Sequence, residues 1–414
     1  MWLFVSTPIR AATLALWFLV VLSLGEDNRC GAVEPGKPDY VVRVWQTDDG
    51  LPENSVRCMA QTRDGYLWVG TFDGLARFDS TEFTLFTLAN VPELRAHQIN
   101  VLYEDTNGTL WIGTETGGLS YYRHGRFGTV PREQGLTSDT VYRLAEDENG
   151  TLWICTSTGL FRKVGDTFTE IDLPNEFWRG LTGVLPVGDG RLWLSGDNGL
   201  MLMHNDTFTV HPACTNGVTA MASDANGMLW CWVKRIGLLE IGNGHTAHHP
   251  EVPGTWVSAI LISRDGAVWL ADRACGLIRF QGGHAVAYDT ADGLAVGGIA
   301  SLIEDREGNL WVGSNGGGLH RFRPKSLRVY STRNGLSNND VVSVCEGSEG
   351  RIWIGTLGGG LNLLQAGHLS NYTWPKCENV VSLCKSEDGG LWVGTYGYGL
   401  SLFHEGRLTR DDSP

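Results

Sequence analysis

The segment DGYLWVGTFDGLARF, residues 64–78, decides the fold because copies of it recur along the whole chain. An acidic residue and Gly open it, an apolar run surrounds Trp68, and a Gly-Leu pair follows at Gly74 and Leu75. Gly accepts the positive φ of tight turns, and Asp side chains cap such turns. The segment therefore predicts a turn, a strand, a second turn and another strand.

Tryptophan marks nine copies of this segment, at intervals of 37 to 43 residues. Every copy has Gly three residues before the anchor Trp, and Asp, Asn or Glu four residues before it. An aliphatic residue stands twelve before, an aliphatic residue or Met nine before, and a Gly-Leu pair follows. Self-similarity at a fixed period is the signature of a repeat architecture. The anchors are Trp68, Trp111, Trp153, Trp193, Trp230, Trp269, Trp311, Trp353 and Trp392.

The residues from twelve to eight before each anchor are apolar on both faces, as a strand buried on both sides must be. The position ten before the anchor is mostly small, which suits an innermost strand where repeats crowd together. Four short strands in each copy, without a helical period, predict an all-β fold, a β-propeller of four-stranded antiparallel blades. The small residues are Cys58, Gly183, Ala220, Ala259, Ser301, Ser343 and Ser382.

Nine repeats leave the closure of the propeller to be decided. The chain opens with an unassigned strand at residues 41–47, and the stretch at residues 328–336 repeats this opening together with the Gly-Leu that follows it. We therefore predict that residues 41–47 complete a seventh blade. The result is a seven-bladed ring over residues 40–325 and two further blades of an incomplete second propeller over residues 326–414. The alternative is a single nine-bladed ring.

The first 32 residues predict a signal peptide. Arg10 precedes an apolar run from Ala11 to Leu24, which is short for a membrane span, and cleavage after Ala32 fits the pattern. The alternative is an uncleaved N-terminal segment, which would be the chain's one contact with a membrane. In either case we expect a periplasmic or extracellular protein.

Charge argues against nucleic acid as a partner. The net charge is −14, and no run of Lys and Arg occurs. An acidic chain without a basic patch lacks the electrostatic features of nucleic-acid binding and of binding to anionic membranes.

The pattern from Asp49 to Asp79 resembles the two-component regulator propeller repeat. The copies at Trp111, Trp311, Trp353 and Trp392 match it well. The copies at Trp193, Trp230 and Trp269 are degenerate, with Ser195, Trp232 and Ala271 where the family favours Gly. The resemblance implies the periplasmic sensor region of hybrid histidine kinases and related receptors.

This resemblance leads us to expect an extracytoplasmic ligand-sensing propeller of a two-component-type signalling system. After Leu408 the sequence has no phospho-acceptor segment, ATP lid or helix-turn-helix, so we expect it to lack a kinase or output domain of its own. Two alternatives stay open: a carbohydrate-active lyase or hydrolase, and a structural platform for protein interaction.

Catalytic and metal-binding motifs are not found in the sequence. It contains no HExxH, GxSxG or P-loop pattern, and its nine Cys form no CxxC pair. We expect no catalytic residue, no cofactor and no metal site. His245, His248 and His249 could bind a metal, but we interpret them as solvated residues of an outer strand.

The loops before the innermost strands and the loops after the Trp strands are expected to share one face, where propellers commonly bind ligands. Aromatic rings beside Asn, Asp and Arg suit an oligosaccharide, although Trp178 and Trp256 could instead pack loops. Expected partners are thus an oligosaccharide and a sensor kinase or a second copy in a homodimer. The candidate residues are Asn54, His97, Gln98, Asp139, Trp178, Arg179, Arg235, Trp256, Arg273, Asn339, Asn379, Tyr396 and Tyr398.

Removal of the signal segment is directly testable. We expect the exported protein to begin at Val33, because the short apolar run resembles the core of a cleaved signal peptide. N-terminal sequencing of the protein expressed in a Gram-negative host checks this. Recovery of Met1 from washed membranes would instead show an uncleaved anchor.

Overall fold

The computed structural model describes residues 40–174, 180–242, 244–325, 329–348, 350–365, 367–375, 377–386, 388–404 and 406–410. The signal segment, Trp178 and Arg179 lie outside these residues. Within them the chain forms nine four-stranded antiparallel sheets, which confirms the predicted all-β propeller fold of four-stranded blades. None of the helices in these ranges has the length and hydrophobicity needed to cross a membrane.

Two compact units divide the chain, residues 1–324 and residues 325–414. We number the sheets as blades in chain order, with the first strand of each blade called the inner strand. Blades 1 to 3 consist of β2 (Val56–Gln61), β3 (Leu67–Thr71), β4 (Gly74–Phe78) and β5 (Phe83–Phe86); β6 (Ile99–Glu104), β7 (Leu110–Thr114), β8 (Leu119–Arg123) and β9 (Arg126–Thr129); and β10 (Val141–Glu146), β11 (Leu152–Thr156), β12 (Leu160–Val164) and β13 (Thr167–Ile171).

Blades 4 to 6 follow the same order. They consist of β14 (Leu181–Pro186), β15 (Arg191–Gly196), β16 (Gly199–His204) and β17 (Thr207–Val210); β18 (Val218–Ser223), β19 (Leu229–Val233), β20 (Gly237–Gly242) and β21 (His245–His249); and β22 (Val257–Ile262), β23 (Val268–Asp272), β24 (Gly276–Gln281) and β25 (His284–Tyr288).

Blade 7 takes three strands from one end of the first unit and one from the other, and blades 8 and 9 form the second unit. They consist of β26 (Ile299–Glu304), β27 (Leu310–Ser314) and β28 (Gly318–Pro324) with β1 (Tyr40–Trp45); β29 (Val341–Glu346), β30 (Ile352–Thr356), β31 (Gly360–Gln365) and β32 (His368–Tyr372); and β33 (Val380–Lys385), β34 (Leu391–Thr395), β35 (Gly399–His404) and β36 (Arg407–Arg410). Short 3-10 helices span Thr47–Asp49, Pro92–Leu94, Arg132–Gln134, Thr290–Asp292 and Thr332–Asn334.

The anchor tryptophans fill the space between neighbouring blades, as Trp68 shows. Its ring is 1% exposed, and the ring centroid lies 5.4 Å from that of Phe86 in its own blade and 4.9 Å from that of Tyr122 in blade 2. Two residues along, a Cβ on Gly70 would stand 2.7 Å from Ile99 in blade 2. The small residue after Trp therefore permits the close approach of the blades.

The indole N–H of the anchor needs an acceptor because it is buried. In five blades the residue six positions before the anchor supplies that acceptor. In blade 2, Asp105 Oδ2 accepts from Trp111 Nε1 at 2.9 Å, while Oδ1 caps the turn by accepting from the backbone of Asn107 and Thr109. The acceptors in the other four blades are Thr62, Asp147, Ser263 and Asp305.

Hydrogen bonds between blades repeat in the same way. The backbone N–H five residues before one anchor donates to the side chain seven residues before the next anchor. The same bond links blade 7 to blade 1, where the Arg306 amide donates to Gln61 Oε1 at 2.9 Å. The other pairs of this kind are Arg63 with Glu104, Thr106 with Glu146, and Arg264 with Glu304.

The N-terminal strand β1 pairs with β28, with Tyr40 opposite Pro324 and Trp45 opposite Leu319. Residues 40–45 thus complete the sheet that contains β26. In addition, Ser301 of β26 donates to the carbonyl of Val56 in β2 at 3.4 Å. The arrangement of a seven-bladed ring with two further blades stays a prediction, which the second experiment below tests.

We expect Trp111→Ala to lower the free energy of unfolding by about 3–5 kcal/mol, because the substitution leaves a large cavity and removes the indole donor from Asp105 Oδ2. Denaturant unfolding followed by far-UV circular dichroism measures this. Val296→Ala is the control, because Val296 is 83% exposed and should change little. An unchanged midpoint in Trp111→Ala would show that the ring does not form part of the blade core.

Limited proteolysis distinguishes the two closures. In the second unit the inner strand β29 leaves Val341, Val342 and Val344 at 44%, 50% and 61% exposure, whereas Val56 in β2 is fully buried. We therefore expect a stable core that ends near residue 325 and rapid loss of the remainder. A resistant body that extends past Trp392 would favour the nine-bladed ring.

Candidate ligand-binding site

A cavity of about 870 Å³ lies in the first unit. All seven blades of that unit line it, so we call it the seven-blade cavity. Its volume lies within the range of roughly 300–1,000 Å³ found for small-molecule sites. Each inner strand contributes its second residue: Arg57, Asn100, Tyr142, Thr182, Thr219, Ser258 and Ala300.

A β-bulge explains why the second residue of each inner strand faces the cavity. In blade 1, Val56 pairs with Thr71 and Cys58 with Gly70, so that Arg57 has no partner in the ladder. The same shift recurs in the other six inner strands of the unit. A bulge re-aims a side chain without breaking the sheet. The fold therefore presents one variable residue from each blade.

The loops after the Trp strands supply the mouth of the cavity. The contributing position lies four residues after the anchor, and in blades 4 to 7 its backbone N–H donates to the loop before the inner strand. For example, Lys234 N donates to Gly217 O at 2.8 Å, and Arg273 N donates to Trp256 O at 3.2 Å. The lining residues at this position are Phe72, Asp197, Lys234, Arg273 and Asn315.

Asp272 holds the part of the mouth that contains Trp256. Its fully buried carboxylate accepts from the backbone of Thr255 and Trp256 through Oδ2, and from Ala274 and Cys275 through Oδ1, each at 2.8 Å. Burial alone raises the pKa of Asp272, but these four N–H groups together hold it below its ordinary value. The carboxylate therefore stabilises the loops above the ordinary pKa, and this stabilisation is lost as pH falls through the folded-state value.

Trp256 is 43% exposed at this mouth. Lys234 Nζ lies 5.1 Å and Arg273 Cζ 5.3 Å from its ring centroid, within cation–π distance. Lys234 also forms an ion pair with Asp197 at 2.7 Å. The indole is thus a fixed, partly exposed aromatic surface beside cationic groups, which can stack on a flat or ring-shaped ligand.

Positive charge predominates in the lining. Arg57, Arg143, Lys234 and Arg273 are the cationic residues of the cavity, and Asp197 is its one carboxylate among the lining residues of the described chain. Arg57 lies 3.7 Å from Glu115 and stacks over Phe72 with Cζ 4.7 Å from the ring centroid. A cavity lined by one sign of charge favours ligands of the opposite sign.

Of the predicted site residues, Trp256 and Arg273 line the cavity together. Others in the first unit hold loops. Asn54 Oδ1 accepts from Thr47 N at 2.9 Å, and the Gln98 carbonyl accepts from Glu115 N at 3.1 Å. The remaining three lie elsewhere: His97 pairs with Asp73, Asp139 pairs with Arg132, and Arg235 adopts a left-handed backbone with φ of 67°.

The second unit contains the last four predicted residues. Asn339 Oδ1 accepts from Thr332 N at 2.8 Å, and Asn379 Oδ1 accepts from Gly358 N at 2.9 Å. Tyr396 is 78% exposed, and Arg410 stacks over the ring of Tyr398 at 5.0 Å. The two asparagines thus cap turns of their own unit.

Sequence reasoning missed the seven inner-strand residues and also Arg143. Their position, eleven residues before each anchor, varies freely in residue type, so the repeat does not mark it. Arg143 could have been found from the sequence, because it stands ten residues before Trp153, where most copies carry a small residue.

One histidine of β21, His249, has carboxylate neighbours that the sequence did not indicate. His249 lies between Glu240 and Glu251, with its ring nitrogens 3.2 Å and 3.1 Å from their oxygens. Within the described residues, His, Cys, Asp and Glu form no group of three or more that could hold a metal ion.

A second cavity of about 960 Å³ lies between the outer strands of blades 2 and 3 and is lined by Arg123, Arg126 and Phe168, among others. Only two blades contribute to it. The seven-blade cavity is the place where the repeat brings one position from each blade together, and we take it as the candidate site.

Several solved structures share this fold. The extracellular domain described for a hybrid two-component system of B. thetaiotaomicron has a TM-score of 0.63 and 22% identity, covering 91% of this chain and 55% of that one. Virginiamycin B lyase from Staphylococcus aureus has a TM-score of 0.56 and 14% identity, covering 69% of this chain and 99% of the lyase. PorZ of Porphyromonas gingivalis has a TM-score of 0.53 and 15% identity, covering 86% of this chain and 60% of PorZ.

The chain thus spans about half the length of the B. thetaiotaomicron domain. No curated protein matches it in sequence. At these identities the structural likeness establishes the propeller fold alone.

The repeats of this chain also match a family model in sequence. The model of the two component regulator propeller matches residues 50–73, 93–116, 135–158, 293–316, 335–358 and 375–397, in blades 1 to 3 and 7 to 9. The blades without a match, 4 to 6, contain the three copies that the sequence analysis identified as degenerate. Six of the nine blades therefore carry the two component regulator propeller repeat.

Proposed function

We propose that this chain is the extracytoplasmic ligand-binding propeller of a two-component-type signalling system and that it binds an oligosaccharide in the seven-blade cavity. The observation that carries the proposal is the lining of this cavity, to which all seven blades of the first unit contribute a residue. The two component regulator propeller repeats in six of the nine blades support the sensing role.

The chemistry of the lining supports a carbohydrate ligand. The hydroxyl groups of Tyr142, Thr182 and Ser258 line the cavity and can accept hydrogen bonds from sugar hydroxyls. Those of Thr182 and Ser258 already donate to backbone carbonyls, which fixes their orientation. Trp256 offers a partly exposed ring at the mouth. An aromatic platform with a few convergent polar groups is the usual composition of a small-molecule site.

The same lining favours ligand binding without catalysis. The cavity has one carboxylate among the described lining residues, Asp197, and Lys234 pairs with it. Glycoside hydrolysis generally needs two carboxyl groups on opposite sides of the scissile bond. We therefore propose that the chain recognises its ligand and does not cleave it.

The test is calorimetric titration of the purified chain with a panel of neutral and acidic oligosaccharides. We expect at least one ligand to bind and Trp256→Ala to weaken that binding by about tenfold, because a stacking surface is lost. Tyr396→Ala removes an exposed aromatic ring from the second unit and should leave the affinity unchanged.

Three results would contradict the proposal. Loss of binding in Tyr396→Ala but not in Trp256→Ala would place the site in the second unit. Failure of every oligosaccharide to bind would remove the ligand class. Release of shortened products from a bound oligosaccharide during the titration would favour the lyase or hydrolase alternative.

A further inference from the structure

One cation of the seven-blade cavity lies deeper than the others. Arg143 is the third residue of β10, one layer below the cavity-facing second residues, and it borders both the seven-blade cavity and a smaller cavity of about 150 Å³. The other residues at this level of the first unit are uncharged: Cys58, Val101, Gly183, Ala220, Ala259 and Ser301.

The opposite strand explains why the Arg143 side chain is directed into the cavity. Arg143 pairs with Cys155, which occupies the position held by Gly in blades 1, 2 and 7. Cys155 is fully buried, and its Sγ lies 3.4 Å from the carbonyl of Leu181 in blade 4. The cysteine therefore fills the space between blades, and the Arg143 side chain is exposed to the cavity.

The Arg143 guanidinium has few partners in the protein. It carries five N–H donors, and among the described residues it makes one hydrogen bond, from Nη1 to the carbonyl of Tyr142 at 3.1 Å. No described carboxylate pairs with it. The charged or titratable groups that act on it are Arg57, which is also a cation, and the thiols of Cys58 and Cys155.

Desolvation, reinforced by the charge of Arg57, lowers the pKa of Arg143 from its ordinary value, although the thiol groups oppose this. The side chain is nevertheless exposed to the cavity. Its remaining N–H donors can therefore reach an anionic ligand there.

The other cations of the cavity differ in their carboxylate neighbours. Arg57 lies near Glu115, and Lys234 pairs with Asp197. Arg273 at the mouth has no described carboxylate within ion-pair distance. Two cationic groups, one deep and one at the mouth, are thus left for a ligand. The chain as a whole has a net charge of −14, so this positive cavity is a local feature.

We propose that the oligosaccharide bound in the seven-blade cavity is acidic and that Arg143 binds its acid group. This inference rests on the proposed function and specifies its ligand class. A guanidinium binds planar oxyanions through two parallel hydrogen bonds, which suits a carboxylate and, with similar geometry, a sulfate ester. Trp256 then stacks on a sugar ring nearer the mouth.

The probes separate acidity from the sugar itself. Titrations use trigalacturonate, its fully methyl-esterified form, and a sulfated galactan tetrasaccharide. We expect the carboxylated or the sulfated ligand to bind, and the one that binds identifies the acid group. Esterification should abolish binding of trigalacturonate if the carboxylate is recognised, and affinity should fall as salt concentration rises.

Arg143→Gln should lower the affinity for the acidic probe about ten- to hundredfold, because charge-assisted hydrogen bonds to the acid group are lost. Arg143→Lys keeps the charge but lacks the two parallel donors, so its affinity for the acidic probe should lie between those of the wild type and Arg143→Gln. Arg123→Gln makes the same charge change in the second cavity, between blades 2 and 3, and should bind the acidic probe as the wild type does. Thermal unfolding of each variant confirms that it folds.

The outcomes separate this inference from the proposed function. If neutral oligosaccharides bind as tightly as acidic ones, the acidic ligand class is overturned. If Arg143→Gln binds the acidic probe as the wild type does, the role of Arg143 is overturned. In either case the ligand-binding propeller stands. If no oligosaccharide of either kind binds, both proposals fall. Selective binding of an acidic probe with loss in Arg143→Gln supports both.

Discussion

The rest of this structure depends on how each buried anchor tryptophan is satisfied. Its ring must be covered by two blades, and its indole N–H must find an acceptor in a place that water does not reach. A turn residue six positions earlier meets the second need in several blades, as Asp105 does for Trp111 at 2.9 Å. Where Val187 stands at this position, the indole of Trp193 is only half-buried. The turn and the blade interface are therefore one unit, which is why they recur together.

Close packing of blades places a second constraint on the chain, and it is met by pairs of residues. Gly70 faces Cys58, but in blade 4 the arrangement is reversed, with Ser195 facing Gly183. A Cβ on Gly183 would lie 2.3 Å from the Ser195 hydroxyl. What matters is thus the combined volume of the pair. In blade 3 the cysteine takes the space between blades, and the larger member of the pair, Arg143, is left to the cavity.

The fold could be predicted from the sequence because the repeated positions of the nine copies reflect structural requirements. Gly is needed for left-handed turns, a small residue for the close approach of blades, and Trp for the interface between blades. The candidate site could be predicted only in part. Trp256 and Arg273 stand out as large residues in degenerate copies, and they do line the cavity. Asn54 and Asn339 lie in the equivalent loops before β2 and β29, but their side-chain oxygens accept from backbone N–H groups. Sequence alone cannot separate a capping Asn from a ligand-binding one. The bulged second residues carry no repeated type, so their common position became visible only in three dimensions.

The distribution of the family pattern among the blades bears on function. Blades 4 to 6 lack a match to the repeat, and they supply Asp197, Lys234, Trp256 and Arg273 to the mouth of the cavity. In blade 6 the residue at the end of the Trp strand is Asp272, where blades 1 to 3 have Thr. A buried carboxylate costs free energy unless every lone pair is used, and here four backbone N–H groups use them. Those same bonds fix Trp256 and its neighbour Arg273. The departure from the repeat is therefore locally compensated, and it lies at the cavity that we propose as the binding site.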